Sequence, residues 1–157
     1  VQERGVIVVP AFSVGRSQTL MFLIYELKKK GLISDIPVYL NSPMSINASG
    51  IFCDHQGEHR LDEDQCEGTC GVATYVQSPE ESKKLNLKKG PMLIISANGM
   101  ATGGRILHHL KAFAPFPQNT ILFAGYQSKG TRGASMIQGA KEVKIHGQQV
   151  PIRARVE

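Results

Sequence analysis

The sequence predicts an α/β protein with a doubly wound, mostly parallel sheet and helices on both faces. Short apolar runs alternate with helical apolar spacing over most of the 157 residues. The runs at 6–10 and 91–95 are rich in Val, Ile and Leu without polar alternation, which is typical of strands covered on both faces. The length suits one domain with one ordinary core.

Two strand-to-helix units are predicted in the first third of the chain. Residues 5–10 form the first strand, and the following apolar spacing predicts a helix from about Gly15 to Lys30. Residues 38–40 predict a second short strand. Ser42 or Ser45 is expected to cap the helix after it, because a serine oxygen can accept a hydrogen bond from the first helical turn.

Residues 53–71 are polar and charged, which predicts a short helix or two at the surface. Cys53, Cys66 and Cys70 are an odd number of cysteines in an α/β-patterned chain, so we expect reduced thiols in a cytoplasmic setting. Histidines lie nearby, but Cys66 and Cys70 are four residues apart and no CxxC pair occurs. We therefore expect no structural zinc here.

The remaining chain continues the alternation and ends in a hairpin. Residues 72–76 predict an edge strand, and Ser78 is expected to cap a helix that Pro79 opens. Thr102 is the expected cap of the helix after residues 91–95. Further along, residues 120–124 predict a strand, residues after the loop 125–133 a helix, and residues 142–145 with 150–156 a β-hairpin around residues 146–149.

Composition narrows the class of protein. The chain is 41% hydrophobic and 20% charged, as in globular proteins, and no apolar run approaches the roughly 20 residues of a membrane span. Its first residues, Val1–Arg4, show neither an initiator Met nor a secretory signal, so we expect a cytoplasmic piece of a longer protein. Net charge +5 favours polyanionic partners.

Four polar loops follow the predicted strands, and in parallel sheets ligands bind at that edge. The loop from residue 96 combines three glycines with Arg105 just inside the following helix, which suits a phosphate. Neither a Walker motif nor the GxGxxG fingerprint is present. For any one of these loops taken alone, a tight turn is the better explanation.

The sequence shows no recognisable catalytic arrangement. His108 and His109 are adjacent and point about 100° apart on a helix, so one is expected to pack and the other to face solvent. HxHxDH, Ser/His/Asp and paired-carboxylate patterns are absent from the sequence. A free-standing enzyme acting on a small phosphorylated metabolite is therefore the least favoured class.

Six motifs in one order resemble the β-CASP domain of metallo-β-lactamase-fold ribonucleases, which include bacterial relatives of the polyadenylation cleavage endonuclease. They are "VIVVPAFSVGRSQTL", "NSPMS", "ESKKLN", "SANGMATGGRILHHL", "GYQSKGTRG" and "EVKIHGQQVPIRARV". The resemblance implies that residues 1–157 are one β-CASP domain, which caps a separate metallo-β-lactamase domain of the same polypeptide. Single-stranded RNA is the implied partner.

The resemblance also implies where the chemistry lies. Two zinc ions and their ligands are expected on the other domain, so no catalytic residue and no metal ligand is assigned to this chain. The cap is expected to position RNA, with or without homo-oligomer formation. The expected phosphate contacts are Arg16, Ser96, Asn98, Thr102, Arg105, Lys129 and Arg132, and Phe12 and Tyr126 are the expected stacking surfaces. A non-catalytic nucleic-acid or protein binding module of a pseudo-enzyme is the alternative.

Overall fold

A computed structural model describes residues 5–157; the expectation about Val1–Arg4 lies outside this range. Strands and helices alternate along the chain as the sequence predicts. The strands are β1 Val6–Pro10, β2 Val38–Leu40, β3 Thr74–Tyr75, β4 Met92–Ser96, β5 Thr120–Ile121, β6 Glu142–Ile145, β7 Gln148–Pro151 and β8 Arg155–Val156. The helices are α1 Arg16–Lys29, α2 Pro43–Asp54, α3 Glu63–Gly71, α4 Pro79–Leu85, α5 Ile106–Phe113 and α6 Arg132–Ile137, with a 3₁₀ turn at Gln56–Glu58.

The main sheet has six parallel strands in the order β3-β2-β4-β1-β5-β8. β4 and β1 are central, and five residue pairs join them in register. Because the strands are parallel, their carboxyl ends, and the loops after them, lie along one edge. This confirms the predicted fold class.

Side chains of each central strand alternate between two apolar layers. Met92 and Ile94 pack with α5, α6 and the β6–β7 hairpin. Leu93 and Ile95 pack with α1 and α2 on the other face. All four are buried, so β4 is covered on both faces, as its unbroken apolar run predicts.

Two of the three predicted helix caps are confirmed. Ser42 and Ser78 are the N-caps of α2 and α4, and each side chain accepts a hydrogen bond from the backbone N–H three residues on. The prediction for Thr102 is wrong. α5 begins at Ile106, after the αR residue Arg105, with no side-chain cap. The preceding residues form consecutive turns, which a search for a single cap residue does not detect.

The end of the chain differs from the predicted hairpin. β6 and β7 pair around His146 and Gly147, which both have positive φ, so the connection is a two-residue turn instead of four residues. The second strand of the hairpin is expected over residues 150–156, but in the structure it is β7 and ends at Pro151. Arg155 and Val156 instead pair in parallel with β5, which places the end of the chain at the edge of the main sheet.

Two of the three cysteines are joined, so the expectation of three reduced thiols is wrong. Cys53, in the last turn of α2, and Cys70, near the end of α3, form a disulfide with a Cα–Cα distance of 6.1 Å. Cys66 is free and buried. Sequence spacing could not show the pairing because it depends on how α2 packs against α3.

The described helices are short. α1 is 14 residues long, about 21 Å at 1.5 Å per residue. Among residues 5–157, no helix has the length and apolar composition that crossing a membrane requires.

We expect the disulfide to contribute to stability because it closes a separation of 17 residues in the unfolded chain. The chain-entropy relation gives about 3 kcal/mol for a loop of this size. Urea unfolding with and without reductant measures the difference. A Cys53→Ser/Cys70→Ser variant should be as stable as the reduced chain and insensitive to reductant; equal stability of the oxidised and reduced chains would contradict the prediction.

Candidate functional site

Two adjoining clefts open where the loops after β1, β2, β4 and β5 meet. The larger, of about 850 Å³, lies between the loops after β1, β2 and β4 and includes Asn98 and Arg105 in its lining. The smaller, of about 260 Å³, lies between the loops after β1, β4 and β5 and is lined by Arg16 and Tyr126. Phe12 lines both clefts and separates them.

The loop after β1 is held by two buried residues in the first turn of α1. Ser17 Oγ donates to the carbonyl of Phe12 at 2.8 Å. Gln18 accepts from the Gly15 N–H at 2.8 Å and donates to Ser49 Oγ on α2, also at 2.8 Å. Burial of these polar groups is compensated by their hydrogen bonds, so the loop is fixed relative to α2. Sequence reasoning did not identify this role.

The exposed ring of Phe12 lies directly against the backbone of Gly99 in the loop after β4. The ring is 44% exposed. A Cβ at Gly99 would lie 2.9 Å from both the Phe12 ring and its backbone nitrogen, so only glycine fits there. The loop after β4 thus comes up directly against Phe12.

The same loop turns tightly at Gly104. Its φ is +81°, and a Cβ there would lie 2.5 Å from the carbonyl oxygen of Ala97. This part of the motif is therefore a turn that requires glycine, whatever else the loop does.

The side chain of Arg105 is hydrogen-bonded within the protein and holds the loop after β4 in place. Its Nη1 donates to Asn41 Oδ1 at 2.7 Å and to the Val76 carbonyl at 3.1 Å, and its Nη2 donates to the Gln77 carbonyl at 2.7 Å. The half-buried guanidinium therefore joins the loop after β4 to the residues that follow β2 and β3. Its predicted contact with phosphate stays a prediction, and these hydrogen bonds favour a structural role.

Asn41 is the centre of a buried polar network that sequence reasoning missed. It is fully buried, and its Nδ2 donates to Ser82 Oγ at 2.7 Å and to His109 Nε2 at 2.8 Å. Its backbone carbonyl accepts from Ser96 Oγ at 2.7 Å. An Asn directly after a predicted strand was the available signal, since a buried amide there needs partners.

His109 is neutral in this network. Nδ1 lies 2.6 Å from Asn86 Oδ1 and donates to it, while Nε2 accepts from Asn41. Burial, and then the charges of His108 and Arg105, lower the pKa of His109 to about 4. His108 is exposed, so the expectation of one packed and one surface histidine is confirmed.

Arg132 and Gln127 connect the loop after β5 to the loop after β4. Arg132 donates from Nη1 to the backbone carbonyls of Ala101 and Thr102 at 3.2 Å each. Its Nε donates to the backbone carbonyl of Lys144 at 2.5 Å. Gln127 Nε2 donates to the Gly99 carbonyl at 3.0 Å. Arg132 is thus half-buried between two loops and the hairpin.

The predicted site residues fall into two groups. Ser96, Asn98, Arg105 and Arg132 are buried or half-buried and hydrogen-bonded within the protein; Asn98 Oδ1 accepts from the Met100 N–H at 2.7 Å. The other five are exposed, and none of their side chains has a hydrogen-bond or ion-pair partner within residues 5–157. They are Phe12, Arg16, Thr102, Tyr126 and Lys129.

The described residues do not fit a metal. Across residues 5–157 no group of three or more His, Cys, Asp or Glu side chains is placed to hold an ion. Cys53 and Cys70 are joined in a disulfide and offer no free thiolate to a metal.

A protein-family profile described as the Beta-Casp domain matches residues 17–136, three quarters of the chain. The chain belongs to the β-CASP family. The match includes the loops after β2, β4 and β5, with Asn41, Arg105 and Lys129. Phe12 and Arg16 precede the matched range.

Curated relatives of this β-CASP chain cover nearly all of it. A ribonuclease of Thermus thermophilus is 34% identical over 98% of the chain and 37% of its own length. Transcription termination factor FttA of Methanosarcina mazei is 35% identical over 94% of the chain and 24% of its own length. An RNase J-like protein of Methanocaldococcus jannaschii is 28% identical over 99% and 36%. The β-CASP chain therefore spans a quarter to less than two fifths of these relatives.

The contrast between Arg105 and Arg16 predicts different effects on stability. Arg105→Ala removes three hydrogen bonds from a charged donor and leaves Asn41 Oδ1 without its partner, so we expect a loss of about 2 kcal/mol in the free energy of unfolding. Arg16→Ala, the matched control, should change it by less than about 0.5 kcal/mol. Equal urea midpoints for both variants would refute this assignment.

The buried neutral histidine predicts a pH-dependent stability. In the unfolded chain His109 binds a proton near its ordinary pKa of about 6.5, whereas the folded chain resists protonation down to about 4. Stability should therefore fall by about 3 kcal/mol as pH drops from 6.5 to 4. Urea unfolding across this range measures the loss, and His109→Gln should flatten it. An identical pH dependence in the variant would contradict the prediction.

Proposed function

We propose that this chain is the RNA-positioning cap domain of a metallo-β-lactamase-fold, zinc-dependent ribonuclease. The observation that carries the proposal is the set of five exposed side chains in or beside the loops after β1, β4 and β5 at the carboxyl edge of the sheet. Phe12, Arg16 and Tyr126 line the smaller cleft, and Thr102 and Lys129 lie further along the loops after β4 and β5. This set offers cations for phosphates and aromatic rings for unstacked bases, which are the contacts that single-stranded nucleic acid requires. Membership of the β-CASP family supports RNA as the ligand, since relatives bear the names ribonuclease and RNase J-like protein.

The exposed and the bonded residues have different roles in this proposal. Arg16 and Lys129 contact phosphates, the Thr102 hydroxyl adds a hydrogen bond, and Phe12 and Tyr126 stack on bases. Tyr126 is 80% exposed and lines the smaller cleft together with Phe12. The bonded group of Ser96, Asn98, Arg105 and Arg132 holds the loops in position for these contacts.

Hydrolysis is assigned to residues outside this chain. The described residues offer no cluster of metal ligands, so no step of a metal-dependent reaction is derived through them. Two zinc ions would be bound by another part of the polypeptide, and the 157-residue chain alone should not cleave RNA. Homo-oligomer formation and a cytoplasmic location stay predictions.

The first test is equilibrium binding of a fluorescent single-stranded RNA of about 10 nucleotides, within the usual site size of such surfaces. Arg16→Ala/Lys129→Ala should weaken binding and reduce the slope of log K against log salt concentration by about 1.4, because each lost phosphate contact removes about 0.7. Tyr126→Ala should weaken it about tenfold through lost stacking.

Lys89→Ala/Arg60→Ala is the matched control. Both residues are exposed and neither lines the two clefts, and the double variant removes the same charge as Arg16→Ala/Lys129→Ala. Circular dichroism checks that every variant is folded. Equal weakening by both double variants would mean nonspecific charge attraction and would reject these clefts, as would wild-type binding that is absent or unaffected by the cleft variants.

A further inference from the structure

The positive charge of the chain is concentrated in its last third. Residues 99–157 contain eight Lys and Arg against two Glu, whereas residues 1–98 contain ten Lys and Arg against eleven Asp and Glu. The excess of +5 thus comes entirely from the segment that forms α5, α6 and the β6–β7 hairpin. By contrast, Asp62, Glu63, Asp64 and Glu67 lie together on and beside α3.

Four basic side chains from three elements meet near the first turn of α5. The rings of His108 on α5 and His146 in the hairpin turn are 4.8 Å apart between centroids. Lys111 on α5 and Lys83 on α4 lie close enough to act on His108. Partial burial, and then the charges of His146, Lys111 and Lys83, lower the pKa of His108. We call these four residues the basic surface.

The charges of the basic surface are uncompensated. All four residues are exposed. Within residues 5–157, none of their side chains forms an ion pair or a hydrogen bond, whereas Lys28, Lys29 and Lys30 on α1 are each paired with a carboxylate. The unpaired ammonium groups of Lys83 and Lys111 therefore create a local positive potential that attracts a polyanion, whereas His108, with its lowered pKa, adds little charge near neutral pH.

The basic surface is linked through Arg132 to the loop after β4, which contributes residues to both clefts. Arg132, at the start of α6, binds the Thr102 carbonyl in the loop after β4 and the Lys144 carbonyl in the hairpin. Lys144 is two residues before His146, whose ring contacts His108. Nucleotides that extend past Thr102 toward the basic surface would follow residues 99–141, which contain no Asp or Glu. Glu142, on the exposed side of β6 two residues before Lys144, is the acidic residue of the hairpin itself.

We propose that the basic surface is a second contact for single-stranded RNA, which binds the sugar-phosphate backbone of nucleotides extending beyond the clefts. This inference rests on the proposed function and adds to it the surface on which the nucleotides beyond the clefts would lie. Lysines neutralise phosphates without reading sequence, and the paired imidazoles offer hydrogen bonds and ring faces to the same strand. The surface therefore favours longer RNA over shorter RNA, independently of its sequence.

Binding of two RNA lengths tests the proposal on the 157-residue chain. A probe of about 5 nucleotides fills the clefts only, whereas one of about 20 nucleotides also reaches the basic surface. Lys83→Glu/Lys111→Glu should weaken the long probe at least about tenfold, lower its salt slope by about 1.4 and leave the short probe unchanged. Lys89→Glu/Arg60→Glu makes the same change of net charge elsewhere and should affect both probes little.

Each other result overturns the inference in a distinct way. Long-probe affinity that is unchanged, or reduced equally by the control, rejects the basic surface as an RNA contact while short-probe binding still supports the proposed function. Failure of the wild-type chain to bind either probe rejects the proposed function itself. Competition by poly-glutamate as effective as by RNA would assign the surface to an acidic protein segment instead.

Discussion

The arrangement of the clefts depends on one buried amide, that of Asn41. Its carbonyl oxygen is bound by Arg105, and its nitrogen therefore faces Ser82 and His109. This orientation fixes the tautomer of His109, because Nε2 must accept and Nδ1 must carry the proton given to Asn86. A single amide thus joins the residues after β2 and β4 to α4 and α5. Since a buried polar group without a partner is costly, the network has one satisfied arrangement.

The cationic side chains of the candidate site are of two kinds: some are hydrogen-bonded to neighbouring loops, and others face solvent. Arg105 and Arg132 use their planar, multiply donating guanidinium groups to bridge backbone carbonyls of neighbouring loops, which a lysine could not do with the same geometry. Arg16 and Lys129 have no such partners within the described residues and remain available to a ligand. Arginine therefore has two different roles at this edge of the sheet. Arg105 and Arg132 hold loops together because carbonyl groups lie within hydrogen-bond distance, whereas Arg16 forms no such hydrogen bond within residues 5–157 and faces solvent.

The acidic residues beside α3 and the basic residues of α5 and the hairpin turn also differ in how they are paired within the protein. The acidic residues beside α3 lie near the Cys53–Cys70 disulfide, and Asp64 binds both Lys29 and Tyr25 of α1. By contrast, within residues 5–157 the basic side chains of α5 and of the hairpin turn form no ion pair. Asp64 has a structural role through its pairing with Lys29, and Asp62 has one as the N-cap of α3. The unpaired lysines near His108 are explained better by a ligand that supplies negative charge.

The sequence by itself determined the fold class, the order of the elements and the family, because these follow from periodicity, cap residues and motifs that are local in the chain. Unbroken apolar runs such as residues 92–95 specify strands buried on both faces, and Ser42 and Ser78 specify helix starts. The sequence also pointed to the loops that meet at the carboxyl edge of the sheet, and Phe12, Arg16, Thr102, Tyr126 and Lys129 are exposed there. Their contacts with RNA stay a prediction. Only the tertiary structure decided that Arg105 points to Asn41, that Cys53 meets Cys70 and that the last strand joins β5. Their partners are up to 64 residues apart along the chain, and local patterns carry no information about contacts that packing creates.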